Sequence, residues 1–172
     1  TNGYVVQKSS VLSGGSMVRT TFANMASGTG AGPVFPVGAD NDDPSATEGY
    51  FVGVDNAVFS LLVVRRVSNP GSLSPTISSN LNVTVPTTTS PNPVEHAGNT
   101  GGANGNLGSL DDRLQQAQIK NGTLWTTHNI RVSTSGVAST SVAARNGQRW
   151  YQLQNLATTP SLLQSGTVYD NA

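Results

Sequence analysis

An all-β fold is what this sequence predicts, on three grounds: short runs of β-branched and aromatic residues, turn dipeptides between them, and almost no helical periodicity. Residues 50–54 are followed by Asp55-Asn56 and then by the apolar run 58–64, which reads as two strands joined by a short turn. Residues 77–85 alternate, placing Ile77, Ser79, Leu81, Val83 and Val85 on one face, the period of a half-buried strand. Residues 114–119, Asn121-Gly122 and residues 123–127 form the clearest hairpin, because Asn-Gly suits a type I′ turn. Two further strands are expected at 147–153 and 162–168. The best helix-like window, 110–119, opens on Asp111 and Asp112, yet Leu114, Ala117 and Ile119 fit neither period. Residues 86–109 carry three prolines, five glycines and four asparagines, and read as an extended connection. A connection of this length is commonly functional or mobile.

An internal repeat underlies this order. Residues 63–69 with Ser74-Pro75-Thr76-Ile77 resemble residues 150–155 with Thr159-Pro160-Ser161-Leu162. Each copy has an apolar strand, an Asn, a short spacer, then Pro followed by Ser or Thr and an aliphatic residue. An acidic residue and a hairpin precede each copy: Glu48 with Asp55-Asn56, and Asp112 with Asn121-Gly122. Two units of about four strands each point to an antiparallel β-propeller-like or β-repeat segment of about two blades, incomplete as a closed ring. The expected organisation is N-terminal strands and a Gly/Pro-rich acidic loop at 1–47, a first repeat at 48–86, a long polar loop at 87–110 and a second repeat at 111–172.

Composition narrows the function classes. The 172 residues carry nine Lys+Arg and nine Asp+Glu, and only 10% are charged. Ser, Thr, Asn and Gly supply 74 residues in their place. Zero net charge argues against nucleic-acid partners, which need a basic face. No apolar run is long enough to span a bilayer. The chain has no cysteine, which excludes disulfides and thiolate metal sites. A weakly charged surface rich in Ser, Thr and Asn suits an extracellular or cell-surface setting. Asn82-Val83-Thr84 and Asn121-Gly122-Thr123 are sequons for N-glycosylation, and also read simply as a strand and a turn.

Several segments resemble one bacterial group. They are Asp40-Asn41-Asp42-Asp43-Pro44, residues 48–56, Arg65-Arg66-Val67-Ser68-Asn69-Pro70-Gly71 and Leu110-Asp111-Asp112-Arg113-Leu114. Residues 124–130, Arg149-Trp150-Tyr151-Gln152-Leu153 and Gln164-Ser165-Gly166-Thr167-Val168 complete the set. The chain is similar to secreted propeller-like proteins of uncharacterised function, distantly like sialidase-type repeat proteins. The resemblance implies a secreted β-repeat protein and a partial member of the group, whose partners are copies of itself or the remainder of a longer polypeptide. It assigns no catalytic residue.

The candidate sites follow from residue chemistry. Asp40, Asp42, Asp43 and Glu48 offer hard oxygen ligands to calcium, or else cap the turns around Pro44. Trp125, His128, Trp150 and Tyr151 are the candidate ligand-binding set: exposed rings would stack on sugars while neighbouring amides and hydroxyls bond sugar hydroxyls. Tryptophan in short-strand repeats commonly packs inside, so both indoles are expected in the core. A glycoside-hydrolase reading would pair Asp111 or Asp112 with Asp42 or Glu48, with Arg65, Arg66 or Arg113 holding an acidic sugar. The arginine spacing does not make them converge, and Asp112 beside Arg113 reads as an ion pair between repeats or a turn cap. His96 and His128 lack ligands at zinc spacing. The expected function is therefore an extracellular β-repeat module with a structural or binding role, in glycan recognition or self-assembly. The alternatives are a fragment of a sialidase-type propeller enzyme and a subunit of a secreted filament or surface layer.

Overall fold

Turn chemistry sets the topology. The computed structural model describes residues 1–170; residues 171 and 172, the end of the second expected repeat, lie outside the described residues. Strands β1 (Gly3–Val6) and β2 (Arg19–Phe22) pair as an antiparallel ribbon around a five-residue helix, α1 (Lys8–Leu12). Next come β3 (Val34–Asn41), β4 (Glu48–Val54), β5 (Leu61–Ser68), β6 (Thr76–Ile77) and β7 (Leu81–Thr84). Together they make an antiparallel meander in which β6 and β7 both pair with β5. A second meander follows: β8 (Gln116–Lys120), β9 (Thr123–Val132), β10 (Arg145–Gln154) and β11 (Ser161–Val168). The fold is all-β, as the sequence predicts.

The two meanders join through their first strands. β3 and β8 run parallel, with Ala39, Asp40 and Asn41 opposite Ala117, Gln118 and Ile119. This junction makes one continuous, open nine-stranded sheet. Its far edges, β7 and β11, approach each other. The inner faces share one core: Tyr50, Val52, Leu62 and Val64 from the first meander, and Ile119, Leu124, Tyr151 and Leu153 from the second.

The two meanders carry the same turn. Asn69 after β5 and Asn155 after β10 both adopt left-handed backbone, at φ 53° and 59°. In each, the Asn carbonyl accepts from the N–H three residues on, Ser72 or Thr158, at 3.0 Å. Pro75 and Pro160 are both buried at the entry to the next strand. Arg66 ties the second turn to the first meander: its Nη1 donates to the carbonyls of Leu156 at 3.2 Å and Thr158 at 3.4 Å.

Three strand readings are corrected. The run expected at 58–64 begins only at Leu61, because the Asp55 carboxylate holds residues 55–60 as a loop. Its Oδ1 accepts from the N–H groups of Ala57 and Val58, and its Oδ2 from Gly32. The single strand expected at 77–85 is broken into β6 and β7, whose register on β5 differs by one residue. Ser78 fills that bulge: its N–H donates to the Arg66 carbonyl, and its Oγ accepts from the Arg66 N–H at 3.0 Å. The window at 110–119 contains no helix; its second half is β8. The Asn121-Gly122 hairpin forms as expected, with φ of 50° and 74°, the pair of positive values a type I′ turn requires.

The start of the long connection is tied down. Thr89 Oγ1 donates to the carbonyls of Arg131 and Ser139, each at 3.0 Å. Asn92 and Asn146 bond reciprocally, Asn92 N–H to Asn146 Oδ1 at 2.8 Å and Asn146 Nδ2 to the Asn92 carbonyl at 2.7 Å. Residues 86–92 thereby close one end of the second meander.

Candidate functional site

Strand period separates the four ligand-binding candidates into two pairs. β9 and β10 alternate strictly, so Trp125 and Trp150 face outward while His128 and Tyr151 face the core. Trp125 is 39% exposed and Trp150 is half-buried, which corrects the expectation that both indoles are core residues. The rings stack with centroids 5.9 Å apart and planes inclined by 30°. They come from adjacent strands and lie diagonally, since Trp150 is opposite Thr127 and Trp125 is opposite Gln152.

Gly166 of β11 is what lets the second indole lie down. It stands directly across from Trp150, and a Cβ there would come within 2.7 Å of the indole carbons. The bare backbone of Gly166 thus forms a shelf for Trp150. The residues lining the depression at the rings are uncharged. Gln116, Gln118, Trp125, Thr127 and Trp150 line a shallow depression of about 280 Å³. Neighbouring amides are held in fixed positions: Gln148 Nε2 donates to Thr127 Oγ1 at 2.6 Å, Gln152 Nε2 to Thr123 Oγ1 at 3.1 Å and Gln164 Nε2 to Gln152 Oε1 at 2.7 Å. The arrangement is a flat aromatic platform ringed by preorganised amide and hydroxyl groups.

The inward pair belongs to a buried polar group. His128 Nδ1 donates to the Asp112 carbonyl, since a carbonyl can only accept, and Nε2 accepts from the Tyr151 hydroxyl at 3.0 Å. That pattern requires the neutral ring. Burial, reinforced by the nearby Arg149 cation, outweighs the Asp112 carbonyl bond and pushes the His128 pKa down to about 4. Burial also raises the Tyr151 hydroxyl well above its usual range. Asp112 is 1% exposed and neither carboxyl oxygen has a hydrogen-bond partner among the described residues; burial pushes its pKa up. His128 and Tyr151 are sealed from solvent and make no surface for a ligand.

The acidic candidates spread over one end of the molecule. Asp43 caps its own turn, its Oδ1 accepting from the N–H and Oγ of Ser45 at 2.8 and 2.6 Å, and these bonds lower its pKa. Asp42 accepts from Gln118 Nε2 at 3.2 Å, and Asp40 is exposed on β3. Glu48 accepts from the Tyr50 hydroxyl at 2.8 Å and pairs with Arg66 Nε at 3.4 Å. Asp43, Glu48 and Tyr50 line one wall of a cleft of about 470 Å³, facing Gly122, Asn155 and Thr158. Among the described residues, no three carboxylates or histidines gather in a group that could hold a metal ion.

The carboxylates weighed for hydrolysis are likewise engaged or enclosed. Asp111, rather than Asp112, takes Arg113, with Nε–Oδ1 at 2.7 Å and Nη2–Oδ2 at 2.8 Å, which lowers the Asp111 pKa. The expected Asp112–Arg113 pair is therefore corrected by one residue: Asp112 turns into the core. Arg113 lies 3.8 Å over the Phe35 ring. Arg65 is held by the Ser78 carbonyl at 2.6 Å and by Asn80.

Sequence reasoning missed Gln116, Gln118, Gln148, Gln152 and Gln164 as members of the platform. Their signal was the same alternation that sorts Trp125 from His128, read on strands already located. It missed Arg149 as well, whose place between two uncharged inward positions is visible only once the ladder is set. Among the described residues, no helix is long and apolar enough to cross a membrane. No protein-family model, curated protein or solved structure matches the chain.

Proposed function

We propose that this chain is an extracellular β-repeat module that binds neutral glycans on the outer face of its second meander. The stacked Trp125–Trp150 pair carries the reading. Sugar rings present apolar C–H faces that lie on indoles, and their hydroxyls take bonds from fixed amides such as Gln118 and Gln152. The absence of charged groups among the residues lining the depression favours neutral over acidic sugars. The low overall charge and the Ser, Thr and Asn content support the extracellular setting.

The duplicated Asn69 and Asn155 turns, each followed by a buried proline, support reading the meanders as two copies of one repeat unit. The propeller-like relation rests on that duplication. The hydrogen-bonded β3–β8 junction distinguishes the arrangement from blades that stand apart.

The test is affinity electrophoresis of the whole chain through gels containing hydroxyethylcellulose, xylan or galactomannan. Retardation in at least one gel is expected, and Trp125→Ala with Trp150→Ala is expected to weaken it by about tenfold or more. Free migration in all gels, or retardation unchanged in the double variant, overturns the proposal.

Self-assembly has one observation of its own. Among the described residues, β11 is an eight-residue edge strand paired only with β10, and it exposes Leu163 and Val168. Pairing of this edge with a second copy predicts a concentration-dependent rise in sedimentation coefficient; a single monomeric species over the whole range removes that reading.

A further inference from the structure

Arg149 is a buried cation without an ion-pair partner among the described residues. β10 sends it inward, across the ladder from His128 on β9 and Thr167 on β11, where it is 5% exposed. Its Nε donates to Thr167 Oγ1 at 2.7 Å, and its Nη nitrogens make no hydrogen bond within the described protein. Nε is held by the protein, while the Nη donors are not among the buried unsatisfied atoms and so face open space, free to meet an anion. The neighbouring Asp112 carboxyl does not supply one, since both of its oxygens lack partners.

The surroundings show where a counter-charge can enter. Arg149 lines a cleft of about 780 Å³ between Ser165–Thr167 on the β11 edge and Pro86 and Thr87, which continue from β7. The third wall is the 137–140 loop. No Asp or Glu lines the cleft. The hydroxyls of Thr87, Thr140 and Ser165 make no bonds within the described protein, and Pro86 and Val137 add apolar surface. The volume lies in the range of about 300–1,000 Å³ that suits small ligands.

We propose that this cleft binds a sugar acid, its carboxylate on the Arg149 guanidinium and its hydroxyls on Thr87, Thr140 and Ser165. A guanidinium presents parallel N–H groups that match the two oxygens of a carboxylate. The ring's C–H face rests on Pro86 and Val137. The site is separate from the tryptophan platform, because Arg149 and Trp150 point to opposite faces of β10. Either site can fail without the other.

The experiment is a calorimetric titration of the whole chain with D-glucuronate, with D-glucose and inorganic phosphate as parallel arms. Saturable one-to-one binding of glucuronate is expected, with no response to glucose once the platform is removed by Trp125→Ala with Trp150→Ala, and phosphate weaker by about tenfold or more. Arg149→Gln is expected to lose about tenfold or more in affinity. Because Arg149 is buried, Thr140→Tyr provides a second route: it fills the exposed mouth, leaves the arginine in place and is expected to abolish binding. Absence of saturation by glucuronate, or binding retained in Thr140→Tyr, overturns the proposal. Phosphate binding as tightly as glucuronate overturns the sugar-acid assignment. Binding of glucuronate that is unchanged in Trp125→Ala with Trp150→Ala places it in this cleft rather than on the platform, and loss in that variant overturns the placement.

Discussion

The two meanders share a strand plan and a turn, yet their outer faces have opposite fates. On the first, Val63 and Val67 of β5 point away from the shared core and are still 0% and 1% exposed. The N-terminal segment covers them: Gly3 of β1 packs on Phe51, Pro33 packs against Gly53, and Gln7 reaches the Gly71 carbonyl at 3.1 Å. On the second, Asn92, Ser109 and Thr140 cover only the Arg131–Asn146 end of the outer face, and the Trp125–Trp150 pair lies open. One meander thus has its outer face covered, while the other leaves the Trp125–Trp150 pair open to solvent.

The sharpest way to break this contrast is to place a charge on each outer face. Val63→Asp puts a carboxylate between sheet and N-terminal segment and is expected to cost about 4 kcal/mol or more, enough to unfold a marginal domain. Gln116→Asp, at an exposed position of β8 on the bare face, is expected to change stability by no more than about 0.5 kcal/mol. Urea denaturation of the two variants measures both. Similar losses in the two would mean that the second face is covered as well.

The next largest effect tests the inner face of the second meander. His128 titrates ordinarily near 6.5 and is pushed down to about 4 when folded. The unfolded chain therefore binds the proton first as pH falls. Stability is expected to be full above about pH 6.5 and to drop by about 3 kcal/mol as pH approaches about 4. Asp112, whose pKa is raised by burial, acts in the opposite sense within that window. Comparing wild type with His128→Gln in the Asp112→Asn background isolates the histidine. A slope unchanged by the histidine substitution would contradict the neutral, doubly bonded ring.

A smaller effect is expected at the shelf beneath the platform. Gly166→Val places carbon where the Trp150 indole lies, since even a Cβ would sit 2.7 Å from the ring. Stability is expected to fall by about 1–2 kcal/mol, with a shift in tryptophan emission as the ring leaves the sheet. Unchanged emission would show that Gly166 does not seat the indole.

What could be read in advance follows from these same residues. Strict alternation in Thr123–Val132 sorts Trp125 from His128, the same period in Arg145–Gln154 sorts Trp150 from Tyr151, and Asn121-Gly122 fixes the hairpin between β8 and β9. The run Leu-Leu-Val-Val-Arg-Arg-Val in β5 signals burial on both faces, because apolar residues occupy consecutive positions. The parallel β3–β8 junction left no trace, since each strand's pattern is satisfied whichever neighbour it meets. The break between β6 and β7 was hidden because Ser78 replaces a ladder bond with its own hydroxyl. The Arg149 cleft depends on where residues 86–89 and 137–140 cross β10, and those crossings are set by tertiary bonds from Thr89 and Asn92.

The smallest effect asks whether the two meanders are copies at the level of the turn. Asn69 and Asn155 both hold left-handed backbone, which a residue with a Cβ and no local hydrogen bond adopts at a cost of about 1–2 kcal/mol. Asn→Ala at either site is expected to cost about 1 kcal/mol, and Asn→Gly about nothing, because glycine reaches this conformation without strain. The covered first meander and the bare second one differ in their outer faces, but the turns lie beyond that difference. Equal losses at the two positions therefore mark one unit used twice. A loss at Asn155 alone would instead trace to Arg66, whose guanidinium bonds the carbonyls of Leu156 and Thr158 in that turn, and Arg66→Ala combined with Asn155→Ala would then show a non-additive loss.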